Sequence, residues 1–167
     1  MERKKSKLLE NIILIAIAIG IFWYLSTFVF MRGVVDGNSM HGTYEDGEKC
    51  LSFYYDVNNI QRFDTVTFYK QDDKKLIKRI IGLPNETVEY IDNKLYINGR
   101  YIEEPFLKNE VTTEDFKCTL KEDEYFCMGD NRNNSSDSRS FGPVSKEKII
   151  GTHLFIFSPL NKMGFYK

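Results

Sequence analysis

One uninterrupted apolar run and a long stretch of alternation divide this chain. From Ile12 to Met31 twenty residues pass without a charge. At ~1.5 Å rise per residue, a helix of that length crosses a hydrocarbon core of ~30 Å. Residues 12–31 are therefore expected to form a single transmembrane helix. A cleavable leader would have a shorter apolar region, about 7–15 residues, with a small-x-small site after it. Here Phe28, Val29, Phe30 and Met31 close the run, which argues for a retained anchor.

From Lys49 onward the polar and apolar residues alternate with period two. Lys49–Tyr55, Asp64–Lys70, Leu76–Gly82, Glu86–Ile91, Lys94–Ile97, Lys117–Leu120, Glu124–Met128 and Ile149–Phe157 are short runs rich in Val, Ile, Phe, Tyr and Thr, the composition of strands. Asp92-Asn93 and Asn98-Gly99 are two-residue hairpin signals, the second strong because both positions tolerate positive φ. Pro84, Pro105, Pro143 and Pro159 fall at the edges of runs, where a missing N–H breaks no central ladder. The pattern predicts a mainly β, antiparallel domain over residues 32–167, large enough for one core and a small satellite sheet. A turn at Glu122-Asp123 would set Cys118 opposite Cys127, a candidate disulfide in a compartment that permits oxidation.

Charge changes the picture at the N-terminus. Residues 1–31 carry four basic against two acidic side chains, a net +2, and the rest carries nineteen against twenty-two, a net −3. The positive-inside rule keeps residues 1–11 cytoplasmic as a tail and puts residues 32–167 outside the cell membrane, in contact with its lipid. The overall net of −1 argues against nucleic acid as a partner. None of Cys50, Cys118 and Cys127 forms a CxxC, and His41 and His153 are far apart, so no metal site is expected. No glycine-rich phosphate loop is present, and no cofactor is expected.

Three stretches carry candidate chemistry. Asp36-Gly-Asn-Ser-Met-His-Gly-Thr43 follows the apolar run, with Gly37 and Gly42 allowing a tight turn around Ser39. Taken alone it is a polar turn closing an anchor. A serine so exposed becomes a nucleophile only if another group takes its proton. Leu76-Ile-Lys-Arg-Ile-Ile-Gly-Leu-Pro84 is a buried strand with two adjacent cations, Lys78 on one face and Arg79 on the other. An ammonium among aliphatic neighbours loses solvation and its pKa falls, which makes Lys78 a candidate base. Arg79 is expected to lower it further. Gly129-Asp-Asn-Arg-Asn-Asn-Ser-Ser-Asp-Ser-Arg139 is dense in short hydrogen-bonding side chains, with its acids and bases arranged as Asp130/Arg132 and Asp137/Arg139.

With these stretches in this order, the chain resembles the bacterial type I signal peptidases, membrane-anchored Ser–Lys proteases that remove signal peptides. The resemblance spans the chain: an anchor, Ser39-Met-x-x-Thr43, Arg62-Phe-Asp-Thr-Val66 beside the family's Arg-Gly-Asp-Ile-Val, Lys78-Arg-Ile-Ile-Gly-Leu-Pro84, and Gly129-Asp-Asn-Arg-x-Asn-Ser-x-Asp-Ser-Arg139. It implies Ser39 as nucleophile and Lys78 as general base, with Met40 packed beside them and Ser135 orienting the lysine amine. It implies Asp130 paired with Arg79 and Asp137 with Arg139 as supports. The implied fold is a β-rich, LexA-like ectodomain, with a larger catalytic sheet and a smaller one inserted at about residues 85–128. The implied partners are preprotein signal peptides with small residues at the first and third positions before the cut.

Gly42 stands where the family usually has Pro, and Gly37 where Gram-negative members carry a hydroxyl residue that helps bind the oxyanion. As in many Gram-positive members, that task would fall to backbone amides, including that of Ser39. His41 offers a competing serine–histidine pair, but no motif supplies its partner acid. A non-catalytic assembly factor or chaperone of this family would lack the serine or the lysine, and both are present. A self-cleaving transcription regulator would need a DNA-binding domain where this chain has its apolar run.

Overall fold

A computed structural model of the protein describes residues 2–54, 59–70, 74–107 and 111–166; the side chains of residues 2–6 and His153 lie outside the description. Helix α1 spans Glu2–Phe28. The strands are β1 Phe30–Val34, β2 Lys49–Phe53, β3 Thr65–Tyr69, β4 Lys75–Gly82, β5 Thr87–Ile91 and β6 Lys94–Ile97. β7 Arg100–Ile102, β8 Phe116–Thr119, β9 Glu124–Met128, β10 Val144–Ser145, β11 Ile149–Ser158 and β12 Gly164–Phe165 follow, with a one-turn helix α2 at Ser138–Phe141 between β9 and β10. All strand pairs are antiparallel.

The apolar run does form a helix, and Lys7–Phe28 is long and apolar enough to cross a membrane. It stops sooner than the absence of charge suggests. Phe30 and Met31, expected inside the span, are instead the first residues of β1, paired with Phe53 and Ser52. The strand from Lys49 ends at Phe53, and Tyr55 lies outside the described residues.

The strands form two sheets. The larger runs β1-β2-β11-β3-β4-β9-β10, with β12 folded back on β11; the smaller runs β7-β6-β5-β8. The smaller sheet arises from the two hairpin signals: Asp92 and Asn93 take φ of 49° and 62°, and Asn98 and Gly99 take 51° and 77°. Two consecutive left-handed residues reverse the chain with a twist that matches its strands. In β5 and β6 alternation then turns Val88, Tyr90, Leu95 and Ile97 inward. They pack with Ile81, Leu120, Phe126 and Met128 into a core joining the two sheets.

Two expectations fail at one place. β9, placed in the smaller sheet, belongs to the larger one, so the inserted sheet covers Thr87–Thr119. Glu124 N does donate to Lys121 O across the turn, but the strands on either side part company. β8 pairs with β5 and β9 with β4, so Cys118 faces Val88 and Cys127 faces Ile80. All three cysteines are free thiols.

Candidate active site

β4 carries the site because its neighbours change along its length. β3 pairs with Lys75 to Arg79, whereas β9 pairs only with the segment from Arg79 to Gly82. Lys78 therefore sits where the sheet opens on one side. It is 2% exposed, and its Nζ is 2.6 Å from Ser39 Oγ. Burial draws its pKa from 10.5 down to about 8, against the pull of Asp137 first, then Cys127 and Asp130; Arg139 acts in the same direction as burial. Arg79 is not the assisting cation. It lies on the opposite face of β4, as alternation predicts, and is taken up by Asp130.

Ser39 lies in the turn that joins β1 to β2. Asn131 clamps it from the Gly129–Arg139 loop: its amide donates to Ser39 O at 3.1 Å and its Nδ2 to Asn38 O at 2.9 Å. Gly37 (φ 89°) and Gly42 (φ 97°) both take the left-handed conformation that the turn was expected to need. The Gly37 amide is spent on Asp46 Oδ1, 2.8 Å away. Met40, next to the serine, is buried with Val35, Tyr44, Cys50, Leu154 and Ile156. That apolar plug fixes one end of the turn while Asn131 fixes the other.

The loop approaches so closely that residue 129 has no room for a side chain. A Cβ there would fall 2.3 Å from Ser135 Oγ and 2.4 Å from Ser39 O. The Gly129 amide donates to Asp137 Oδ2 at 3.0 Å. Arg139 binds Asp137 through Nε and Nη2, both at 2.8 Å. Burial works against the Asp137 carboxylate, but Arg139 and the Gly129 amide outweigh it and hold its pKa below the usual range. Arg79 binds Asp130 in the same two-pronged way, Nε at 2.9 Å and Nη2 at 2.7 Å. Thr43 Oγ1 adds a third bond to Asp130 at 2.6 Å, tying the serine turn to this pair.

Ser135 departs from its expected contact. Its Oγ is buried beside the Asp137 carboxylate, whose pKa it helps to lower, rather than bonded to the Lys78 amine. Arg132 also departs from the pairing suggested by its neighbour Asp130. It bonds the carboxylate of Glu104 and the hydroxyl of Tyr90, and its Nε donates to Gly129 O at 3.1 Å. Nothing local in the sequence announces Glu104, which sits 28 positions away and just past β7. His41 does have an acid, Glu45 Oε2 at 2.6 Å from its Nδ1, but the pair is solvent-exposed. Phe63, standing where the family motif has glycine, takes φ 72°. Its carbonyl accepts from Arg79 Nη1 at 2.7 Å, and its ring meets Phe106 edge-on at 5.1 Å.

A cleft of about 320 Å³ opens beside Ser39. One wall is the edge strand β1 and the turn after it; the other is the one-sided part of β4 from Lys75 to Lys78. Both walls present unpaired strand edges, the arrangement that accepts an extended peptide as an added strand.

Several known proteins are similar to this chain in sequence, and one solved structure in fold. The family model described as signal peptidase, peptidase S26, matches residues 8–158. Signal peptidase I S of Bacillus subtilis is 38% identical over 174 residues, covering 96% of this chain and 94% of that protein. Signal peptidase I V of the same organism is 37% identical over 165 residues, covering 89% and 96%. The crystal structure of a signal peptidase I from Enterococcus faecalis superposes with a TM-score of 0.53 at 41% identity, covering 57% of this chain and 97% of that one. Matched over most of its length by the family model and by relatives of nearly the same extent, the chain belongs to the signal peptidase family, peptidase S26.

Proposed function

We propose that this protein is a membrane-anchored serine endopeptidase that cleaves signal peptides from exported preproteins with Ser39 as nucleophile and Lys78 as general base. One observation carries the assignment: the Lys78 amine, buried and poised at a pKa of about 8, lies 2.6 Å from the Ser39 hydroxyl. A neutral amine at that distance accepts the hydroxyl proton as Oγ attacks the scissile carbonyl. The resulting ammonium gives that proton to the leaving amine, which frees the mature protein and leaves an acyl ester on Ser39. The amine, neutral again, takes a proton from water, hydroxide attacks the ester carbonyl, and the released Oγ recovers its hydrogen from the ammonium. Backbone amides of the turn, that of Ser39 among them, face the developing oxyanion.

The substrate lies extended between β1 and β4, adding a strand to both edges. Its side chains then alternate, so those at the first and third positions before the cut point into the cleft. Walls of Val35, Ile77 and Met40 leave room only for small ones there. The helix ending at Phe28 anchors the protein with its basic tail in the cytoplasm, and residues 32–167 form the extracytoplasmic catalytic domain. Only ten residues separate the helix from Ser39, which keeps the serine near the membrane surface where a signal peptide ends.

The test is incubation of the full chain, in detergent micelles, with a labelled preprotein, followed by sequencing of the new N-terminus. Cleavage after a small-x-small segment, absent in Ser39→Ala and in Lys78→Met, is expected. Cleavage that survives either substitution would refute the dyad.

A further inference from the structure

The floor of the cleft is not uniformly apolar. On the face of the larger sheet below the cleft, Ser52 of β2 and Thr67 of β3 both line it, at 2% and 4% exposure. They belong to strands separated by β11, yet their hydroxyls meet at 3.2 Å. Gly151 of β11, the register partner of Thr67, makes the meeting possible. A Cβ at position 151 would fall 2.3 Å from Ser52 Oγ. A glycine in a central strand weakens it, and here its place is filled by two hydroxyls rather than by a hydrocarbon side chain. Cys50 and Ile77 flank the pair, and Gly33, opposite Cys50 in β1, leaves the rim above it without a side chain.

Two hydroxyls hold two hydrogens, and a single bond between them uses one. One O–H donor and several lone pairs remain at the floor of an otherwise aliphatic cleft. An alanine side chain placed over the pair makes no use of them, and a valine covers them with methyl groups. A serine or threonine side chain donates to one hydroxyl and accepts from the other. Burial makes such bonds count, because a polar group covered by an apolar one loses its partner. The discrimination is modest rather than absolute, since Ser52 and Thr67 keep each other bonded when the guest is apolar.

With the scissile carbonyl at Ser39 Oγ, the first-position side chain enters beside Met40 and Val35. The third-position side chain lies two residues farther along the cleft, ~6.7 Å away on the same face. Thr67, Ser52 and Cys50 line the same cleft from strands β3 and β2 rather than from the serine turn, and the third-position side chain is assigned to them. We infer that Ser52 and Thr67 form a hydroxyl-reading floor that selects signal peptides with serine or threonine at the third position before the cut. The inference rests on the peptidase assignment and adds to it a preference within the small-residue class.

The experiment uses the full chain in detergent micelles and peptides that keep alanine at the first position and carry alanine, serine, threonine or valine at the third. Threonine and valine have the same shape, so their ratio of kcat/KM isolates the hydroxyl. A ratio of about tenfold in favour of threonine is expected, with serine also preferred over alanine. Thr67→Val keeps the volume of residue 67 and removes its hydroxyl. Ser52→Ala removes the other. In each variant the ratio, read within the same enzyme, is expected to collapse toward one. Equal cleavage of threonine and valine peptides by the unsubstituted protein would overturn the inference while leaving the peptidase assignment intact. So would a ratio unchanged in both variants. Failure to cleave even the alanine peptide, under conditions where the chain is folded by circular dichroism, would overturn the assignment and the preference together.

Discussion

Arg132 and Glu104 hold each other across the junction of the two sheets, both nearly excluded from solvent. Glu104 also accepts from Tyr90 at 2.6 Å, and Arg132 reaches on to Gly129 O, so the pair couples the smaller sheet to the loop that clamps Ser39. Glu104→Ala would leave a buried guanidinium without its counter-charge, a loss of about 3–5 kcal/mol. Glu104→Gln keeps a hydrogen-bond acceptor and is expected to cost less. Urea unfolding of the two variants beside the parent checks the order, and equal stability of all three would contradict it.

Cleavage should track deprotonation of Lys78. With its pKa at about 8, kcat/KM is expected to rise about tenfold per pH unit below that value and level off above it. Lys78→Arg should be inactive at every pH, because a guanidinium keeps its proton in proteins. His41→Ala should retain most activity, since His41 is engaged with Glu45 at the surface. A pH–rate profile of each protein from pH 6 to 10 is the measurement. Loss of activity in His41→Ala with retention in Lys78→Arg would reverse the assignment.

The same lysine weakens the fold at neutral pH. Its folded pKa lies below its unfolded one, so the unfolded chain binds the extra proton between about 8 and 10.5. Stability therefore rises across that window and is lowest, by about 3 kcal/mol, once the native lysine is charged below pH 8. Lys78→Met should accordingly be inactive yet more stable by about that amount at pH 7, with the gain vanishing near pH 10.5. Unfolding free energies of both proteins at pH 7 and pH 10.5 test the sign.

Ser135→Ala removes a buried hydroxyl that helps hold the Asp137 carboxylate. Stability should fall by about 1 kcal/mol, the net worth of one such hydrogen bond. Cleavage should fall far less than in Ser39→Ala. A melting temperature that rises in this variant would show that the hydroxyl does not support Asp137.

Thiol titration of the denatured, unreduced protein should count three free thiols, given that Cys118 and Cys127 belong to different sheets. A count of one would mean that the two strands meet.

What could be read from the sequence followed the range of each signal. Alternation along β4 correctly set Lys78 and Arg79 on opposite faces, and Asn98-Gly99 fixed a hairpin, because both depend on adjacent residues. β1 was hidden, since Phe30 and Met31 continue an apolar run and hydrophobicity alone does not separate strand from helix. The turn at Glu122-Asp123 was legible as a reversal, but not the partners its strands would choose. Glu104 and Tyr90 carry no local mark of their tie to Arg132; only the assembled sheets bring them together. Ser135 was assigned its contact with Lys78 by resemblance, whereas the structure sets its hydroxyl beside Asp137.

Strand β11 lies between β2 and β3 in the larger sheet, although it follows both by about eighty residues or more. Pairings so distant along the chain form late, after the intervening segment is available. In a chain synthesised from its N-terminus, the serine turn is made early and the strand that unites the sheet follows about a hundred residues later. Ser52 and Thr67 cannot be brought to bonding distance until Gly151 has arrived between them. The cleft beside Ser39 is thereby finished by a strand far from the serine in sequence.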